Sequence, residues 1–498
     1  MRQQLRQLSG DTAIYGLTTI IQRFLSFLLT PFYTHFLLPA ELGIQTDLFV
    51  IIAFLMILAN AGMESAYFRY DAAAKNEEER RETFWNALGV NWGVAGTLGL
   101  LFIFFPEAFN QLPFMNLPEH LIHLIRMAGV IMALDSMSMI PLGLLRMRRR
   151  AFKFGVVKII SILVNVILNI ILVGFMDMKL EGIFLAGIAQ SVTQFLLTLP
   201  FVALMRPIRI NDTLRRMMIR FGLPTIGSGL SMIALQLVDR TIISSIAGDE
   251  ALGLYQANYR LGIVMIVFVS IFEFAWRPFF LQQADRENAP QLFARIFTYF
   301  NLIGGGILLT VSFFIPNIAA FPIPFTDTTF IKPIYWSGLG IVPIVLWAYL
   351  FNGWYTNFIA GVYIEKKTAA LLWITLSGAA IEALLCLLLV PQIGIAGGAW
   401  GTVFAYLIMA VILYIFIRRY YPVPYEWGRV GLIMVGLLGL IGANLLLLEP
   451  GDLSFRAAMI RLGLLAGFPV WLALTGFFNR SERKEMERLF GMLRRRGS

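Results

Sequence analysis

Apolar runs of roughly 20 residues or more recur along the chain, separated by short polar connections. A hydrocarbon core about 30 Å thick takes a helix of that length, so the pattern predicts about 14 membrane spans. Their limits read 12–36, 43–68, 84–106, 119–145, 155–176, 181–205, 220–247, 252–281, 291–315, 332–361, 367–390, 394–418, 428–448 and 455–478. Little is left over for a soluble domain. The expected fold class is therefore an all-α polytopic membrane protein. The first run lacks a short apolar core followed by a small-residue cleavage site, so it is read as a retained helix.

The spans are related to one another. "LLPAELGIQTDLF" (37–49) parallels "IAGDEALGLYQANYR" (246–260), with Leu42-Gly43 over Leu252-Gly253 and Gln45 over Gln256. "MESAYFR" (63–69) parallels "FEFAWRP" (272–278), with Glu64 over Glu273, and "EGIFLAGIAQSVTQFL" (181–196) parallels "IGIAGGAWGTVFAYL" (393–407). All share an offset near 210 residues. A duplicated unit with an even number of spans keeps its orientation, so two pseudo-symmetric six-helix bundles are expected, with two C-terminal helices outside the repeat. The corresponding domains are 1–212, 213–420 and 421–498. Paired bundles of this kind belong to alternating-access carriers, although duplication could also serve only to build a larger scaffold.

Composition agrees with the pattern. The 498 residues are 58% hydrophobic and 14% charged, and the mean hydropathy is +0.74, a profile that no water-soluble domain could keep in solution. Charge then gives orientation. "RYDAAAKNEEERRET", "RMRRRAFKFGVVK", "RPIRINDTLRRMMIR", "EKK", "RRYYPVPYEWGR" and the two termini hold roughly 30 Lys and Arg, against about 3 in the alternate connections, namely Lys179, Lys332 and Arg456. Both termini are expected in the cytoplasm. The net charge of +10 is thereby explained by topology and by contact with anionic lipid heads, and nucleic acid is not expected as a partner. Cys386 stands alone, which excludes an intrachain disulfide, and no metal cluster is expected. His35, His120 and His123 fall near outer span ends, where packing explains them better than ligation.

Seven basic residues are read within spans, all arginines: Arg23, Arg126, Arg240, Arg260, Arg277, Arg295 and Arg461. Arg126, Arg277, Arg295 and Arg461 lie near span ends, where the side chain can reach the interface, and Glu273 four residues before Arg277 offers a local ion pair. Arg23, Arg240 and Arg260 lie deeper, where insertion costs about 2.5–3.5 kcal/mol each. An aqueous cavity between bundles would keep such groups hydrated and able to bind an anion. Interhelical ion pairs are the alternative, with Asp47, Asp135 and Asp239 as the acids placed to make them. Asp239 and Arg240 stand about 100° apart on a helix, so one is expected to face the cavity and the other a neighbouring span. Pro31 is read as interrupting the first span, "GLPTIGSG" (222–229) as opening the seventh and Pro343 as lying within the tenth, where such residues permit bending. "SERKEMERLFGMLRRR" places Met486, Leu489, Phe490 and Leu493 on one stripe, as for a helix lying on the inner leaflet.

"LVDRTIISSIAGDEALGLYQANYRLG", "KIISILVNVILNIIL" (158–172) and "LLLVPQIGIAGGAWGTVFAYL" (387–407) resemble the polysaccharide transporter family, the oligosaccharide flippases related to the MATE exporters of the MOP superfamily. The resemblance extends over essentially the whole chain. It implies a V-shaped pair of bundles in the bacterial inner membrane, moving an undecaprenyl-diphosphate-linked oligosaccharide outward. It also implies that Arg23, Arg240 and Arg260 engage the diphosphate or acidic sugars, and that a proton or sodium gradient or the membrane potential supplies the drive, with no cofactor. Glycan assembly enzymes are further expected partners. A peptidoglycan-precursor flippase and a MATE-like small-molecule exporter are the competing readings. An enzyme is not expected: no two Asp stand two apart, and no Walker-type loop is present.

Overall fold

The structure, a computed structural model, describes residues 2–111, 117–206, 210–284, 286–323, 328–449, 451–478 and 482. The C-terminal stripe of Met486, Leu489, Phe490 and Leu493 lies outside the described residues. The elements, in chain order, are α1 (Arg2–Phe36), α2 (Pro39–Asn60), α3 (Met63–Ala73), α4 (Glu77–Phe104), α5 (Pro106–Asn110), α6 (His123–Met147), α7 (Ala151–Asn169), α8 (Lys179–Leu204), α9 (Asp212–Leu261), α10 (Ile263–Gln283), α11 (Ala289–Ala319), α12 (Ile341–Ile364), α13 (Ala369–Ile393), α14 (Ile395–Ile417), α15 (Trp427–Leu447) and α16 (Phe455–Leu474). Among the described residues, 12 helical stretches are long and apolar enough to cross a membrane. The chain is an integral membrane protein. α1 and α12 coincide with the first and tenth spans read from the sequence.

Polar caps start the helices where the apolar runs begin. Asn76 accepts from the Glu79 amide at 2.8 Å, and Glu77, Glu78 and Glu79 place negative charge in the first turn of α4. Asn211 accepts from the amides of Thr213 and Leu214 at the start of α9, and Ser454 caps α16. Gly248, at φ 83°, turns the chain between the seventh and eighth spans, a conformation that a side chain would disfavour.

None of these prolines ends a helix. α9 begins ten residues before "GLPTIGSG" and runs through Pro224, while α1 continues through Pro31. Pro343 occupies the first turn of α12, where a missing amide proton costs nothing. The second span is instead divided at Ala61 and Gly62, both at positive φ, and the eighth at Gly262, between α9 and α10.

By packing, the chain divides into two units, residues 1–263 with 369–405, and residues 264–368 with 406–498. These limits differ from the repeat boundaries at 212 and 420 because α9 lies along α2 and α13. In the first unit, one apolar core joins α2, α4, α6 and α8 around Leu48, Phe102, Ile125 and Phe184. A second joins α3, α4, α6 and α9 around Tyr67, Phe84, Leu144 and Met218. In the second unit, α11, α15 and α16 meet around Leu309, Phe313, Leu437 and Leu472.

Candidate functional site

The repeat marks where α2 and α9 meet within the first unit. A Cβ on Gly43 would stand 1.8 Å from the carbonyl oxygen of Asp249, and one on Gly253 1.8 Å from that of Pro39. Both residues of the second contact are the repeat partners of those in the first, so the contact is reciprocal. Near the opposite end, a Cβ on Gly62 would lie 2.1 Å from the carbonyl oxygen of Gly222. Bare backbone therefore meets bare backbone at both ends of the α2–α9 seam. Close to Gly43, Ser244 Oγ donates to Asp47 Oδ2 at 2.7 Å, tying the two helices together.

Between these ends α9 carries Asp239 and Arg240, 1% and 7% exposed. The Arg240 guanidinium donates from Nε to Gln256 Oε1 at 3.0 Å, from Nη1 to Asp239 Oδ1 at 3.2 Å and from Nη1 to the carbonyl of Gln236. Its carbon lies 4.8 Å from the centre of the Tyr259 ring. Asp239 Oδ2 accepts from the Tyr255 hydroxyl at 2.6 Å. The expectation that adjacent residues would face different surroundings is corrected here. The arginine stem is long enough to fold back along its own helix, and both residues serve one buried network.

Two further spans reach this network. Arg260, half-buried, follows Tyr259, whose ring lies against Arg240, and donates to Thr30 Oγ1 of α1 at 3.2 Å. Tyr33 donates in turn to Asn169 Oδ1 of α7 at 2.8 Å. From α13 comes Glu382, 1% exposed. Its Oε1 accepts from Thr402 of α14 at 2.8 Å, its Oε2 has no hydrogen-bond partner among the described residues, and a Cβ on Gly398, one turn before Thr402, would lie 3.5 Å from the Tyr255 ring. Two acids and two guanidiniums thus stand on neighbouring helices inside apolar spans, with Asp239 and Arg240 in direct contact.

The remaining sequence candidates lie elsewhere. Arg23 is exposed on α1, seven residues and so about 10 Å from Thr30 along the helix. Asp47 accepts from Ser244. Asp135, on α6, accepts from Gln194 Nε2 at 3.4 Å, while Lys158 Nζ donates to Gln194 Oε1 at 2.7 Å, so its basic neighbour is a lysine bridged through an amide. Arg461 is also placed differently from the expectation that it reaches the interface. It is 2% exposed and donates to Asn317 of α11 at 2.7 Å, because α11 offers an acceptor at that depth. Arg277 does pair with Glu273, at 2.8 Å.

Lys158 and Glu382 are the residues that sequence reasoning missed. Lys158 ends the basic connection "RMRRRAFKFGVVK" and reads as part of it, although it stands inside the fifth span. Glu382 is the lone acid of "LSGAAIEALLCLLL", a signal as strong as any of the arginines.

A family model described as "Polysaccharide biosynthesis protein" matches residues 8–283, more than half of the chain. No curated protein matches the sequence. Among solved structures, the fold is similar to that of the lipid II flippase MurJ in an inward closed conformation, at TM-score 0.72 and 14% identity over 93% of this chain and 99% of that one. An inward-facing multidrug resistance MATE family transporter of the MOP superfamily aligns at TM-score 0.64 and 14% identity, over 85% and 99%. A MOP superfamily transporter from Pyrococcus furiosus, described by a reverse polarity of its binding pocket, aligns at 0.55 and 13% identity, over 85% and 96%. At these identities the likeness is one of fold. The match across residues 8–283 goes further, and the chain belongs to the polysaccharide biosynthesis protein family of membrane proteins, on a MurJ- and MATE-like transporter fold.

Proposed function

We propose that the protein flips an undecaprenyl-diphosphate-linked oligosaccharide, the repeat unit of an O-antigen, capsule or exopolysaccharide, outward across the bacterial inner membrane. The observation that carries this reading is the placing of buried Arg240 and half-buried Arg260 on the two sides of the Tyr259 ring's segment of α9, beside a seam that closes through bare backbone at both ends. A diphosphate presents oxygens that a guanidinium meets with paired donors. With the seam closed, Arg240 spends its donors on Gln256, Asp239 and Gln236. Opening one end would exchange these contacts for the substrate's oxygens, so each arginine has a partner in either state. Arg23, exposed on α1, would then meet the polar part of the substrate outside the cluster.

The drive is a proton or sodium gradient or the membrane potential. Glu382, with one oxygen unpartnered, is the group whose charge such an ion would change, leaving two guanidiniums against Asp239 and favouring an anionic substrate. The reading assigns no covalent chemistry to the chain. Both termini would lie in the cytoplasm, where glycan assembly enzymes could hand over the lipid.

A peptidoglycan precursor is a second reading, favoured by the likeness to a lipid II flippase. Lipid analysis of a deletion strain separates the two. Accumulation of a polyprenyl-linked glycan repeat unit on the inner leaflet supports the first, accumulation of the peptidoglycan precursor supports the second, and an unchanged lipid profile overturns both.

A further inference from the structure

A groove of about 590 Å³ lies in the first unit between α4 and the start of α9. Along α4, Gly89, Gly93 and Thr97 follow one another at four-residue spacing and are exposed, and a Cβ on either glycine would meet nothing within 4 Å. The glycines form a furrow in which none of the described elements is seated. From Trp85 to Leu98, both of which line it, the groove runs about 20 Å along the helix axis, comparable with one leaflet of a hydrocarbon core about 30 Å thick. By the charge bias of the connections it begins at the cytoplasmic interface, where Trp85 donates to the carbonyls of Met205 and Arg206 at the end of α8.

Chemistry at that end is specific. Asn86 lines the groove and is 1% exposed. Its Nδ2 donates to the carbonyl of Glu82 at 2.8 Å, while its Oδ1 has no partner among the described residues. A buried amide oxygen without a donor is costly, and a donor seated in the groove would relieve it. Arg215 also lines the groove and pairs with Asp212 at 2.8 Å. Arg206, Arg216 and Arg220 stand nearby in the sequence, and Asp212 is the one acid in that stretch. An occupant must therefore present an anion to the arginines, a hydrogen-bond donor to Asn86 and a hydrocarbon chain to the glycines.

We propose that this groove holds an anionic glycerophospholipid of the inner leaflet with hydroxyl groups in its head, of the phosphatidylglycerol type. The phosphate meets Arg215, a head-group hydroxyl donates to Asn86 Oδ1, and one acyl chain lies over Gly89 and Gly93. A polyprenyl phosphate supplies the anion but no hydroxyl, and phosphatidylcholine supplies neither net charge nor donor. The site stands apart from the Arg240 cluster and does not depend on what the protein flips.

The test uses the full chain reconstituted in nanodiscs of equal parts phosphatidylglycerol and phosphatidylcholine, then extracted and analysed by native mass spectrometry. Wild type is expected to retain phosphatidylglycerol. Gly89→Leu with Gly93→Leu fills the furrow without a clash and should lower that retention roughly tenfold, as should Asn86→Leu to a lesser degree. Gly439→Leu, a substitution at an equally open glycine of α15, should leave it unchanged. Equal retention in the furrow-filled variant, equal retention of phosphatidylcholine, displacement by added polyprenyl phosphate, or loss of a dimer in place of a lipid would each overturn the proposal.

Discussion

Two polar networks in the first unit set similar residues in different surroundings. On α6, α7 and α8, Asp135 and Lys158 are joined through Gln194. On α9 and its neighbours, Asp239, Arg240, Arg260 and Glu382 gather with Tyr255, Gln256 and Thr402. Both place acids and bases within apolar spans. The difference lies in the helices that carry them. The first network spans helices of one repeat, which pack on one another around Leu142, Leu145 and Val157. The second is carried by α9, whose reciprocal glycine contacts with α2 are the place where the two repeats meet. Charge within apolar spans is common to both networks; the second alone stands beside the close α2–α9 backbone contacts.

The largest expected effect comes from unbalancing the second network. Arg240→Ala leaves Asp239 and Glu382 with one guanidinium fewer, and breaking a buried pair by removing one partner is destabilising by about 3–5 kcal/mol. The variant should accumulate poorly by immunoblot. Adding Asp239→Asn should restore the protein level without restoring delivery of glycan to the outer leaflet, as read by surface labelling. Restored delivery would reduce Arg240 to a structural partner of Asp239.

Next in size is the seam. At Gly43 a side chain meets backbone, which has nowhere to retreat. Gly43→Val should hold that end of α2 and α9 apart, slow delivery by roughly tenfold and raise the reaction of a cysteine at position 244 with an impermeant thiol reagent. Unchanged labelling would show that the ends are not gates.

A smaller change is expected in the first network. Asp135→Asn with Lys158→Met exchanges a charged bridge for neutral groups, and interhelical hydrogen bonds in membranes average about 0.6 kcal/mol. Thermal stability should fall by about one degree with delivery unchanged. A loss of delivery as large as that at Arg240 would erase the distinction between the two networks. Arg23→Ala, exposed and remote from the seam contacts, should have the least effect, about twofold on delivery.

Much of this is legible in the sequence. Run length alone places the spans, since membrane thickness fixes helix length. The offset near 210 residues picks out Gly43 and Gly253, and they prove to be the two glycines in reciprocal contact. Asp239 and Arg240 stand out for the cost of charge in lipid, and Arg260 for the same reason. Less legible are matters set by side-chain reach and by packing partners. Arg240 folds back on Asp239, which helix periodicity does not foretell, and the depth of Arg461 depends on Asn317, some 140 residues away. Glu382 and Lys158 are visible in the sequence yet easily passed over, one because the basic residues dominate the intramembrane charge and the other because it adjoins a basic connection. Breaks in the second and eighth spans fall where positive φ or tertiary contact dictates, and proline positions give no guide to them.

The central claim is that Arg240 and Arg260 exchange their buried partners for the substrate's diphosphate as the seam opens. It is tested most directly by measuring lipid-linked glycan appearing on the outer leaflet of cells carrying Arg260→Ala, or Arg240→Ala with Asp239→Asn, at protein levels matched to wild type. The account predicts at least a tenfold slower appearance in both, with the lipid accumulating on the inner leaflet. Delivery at the wild-type rate in both would contradict it.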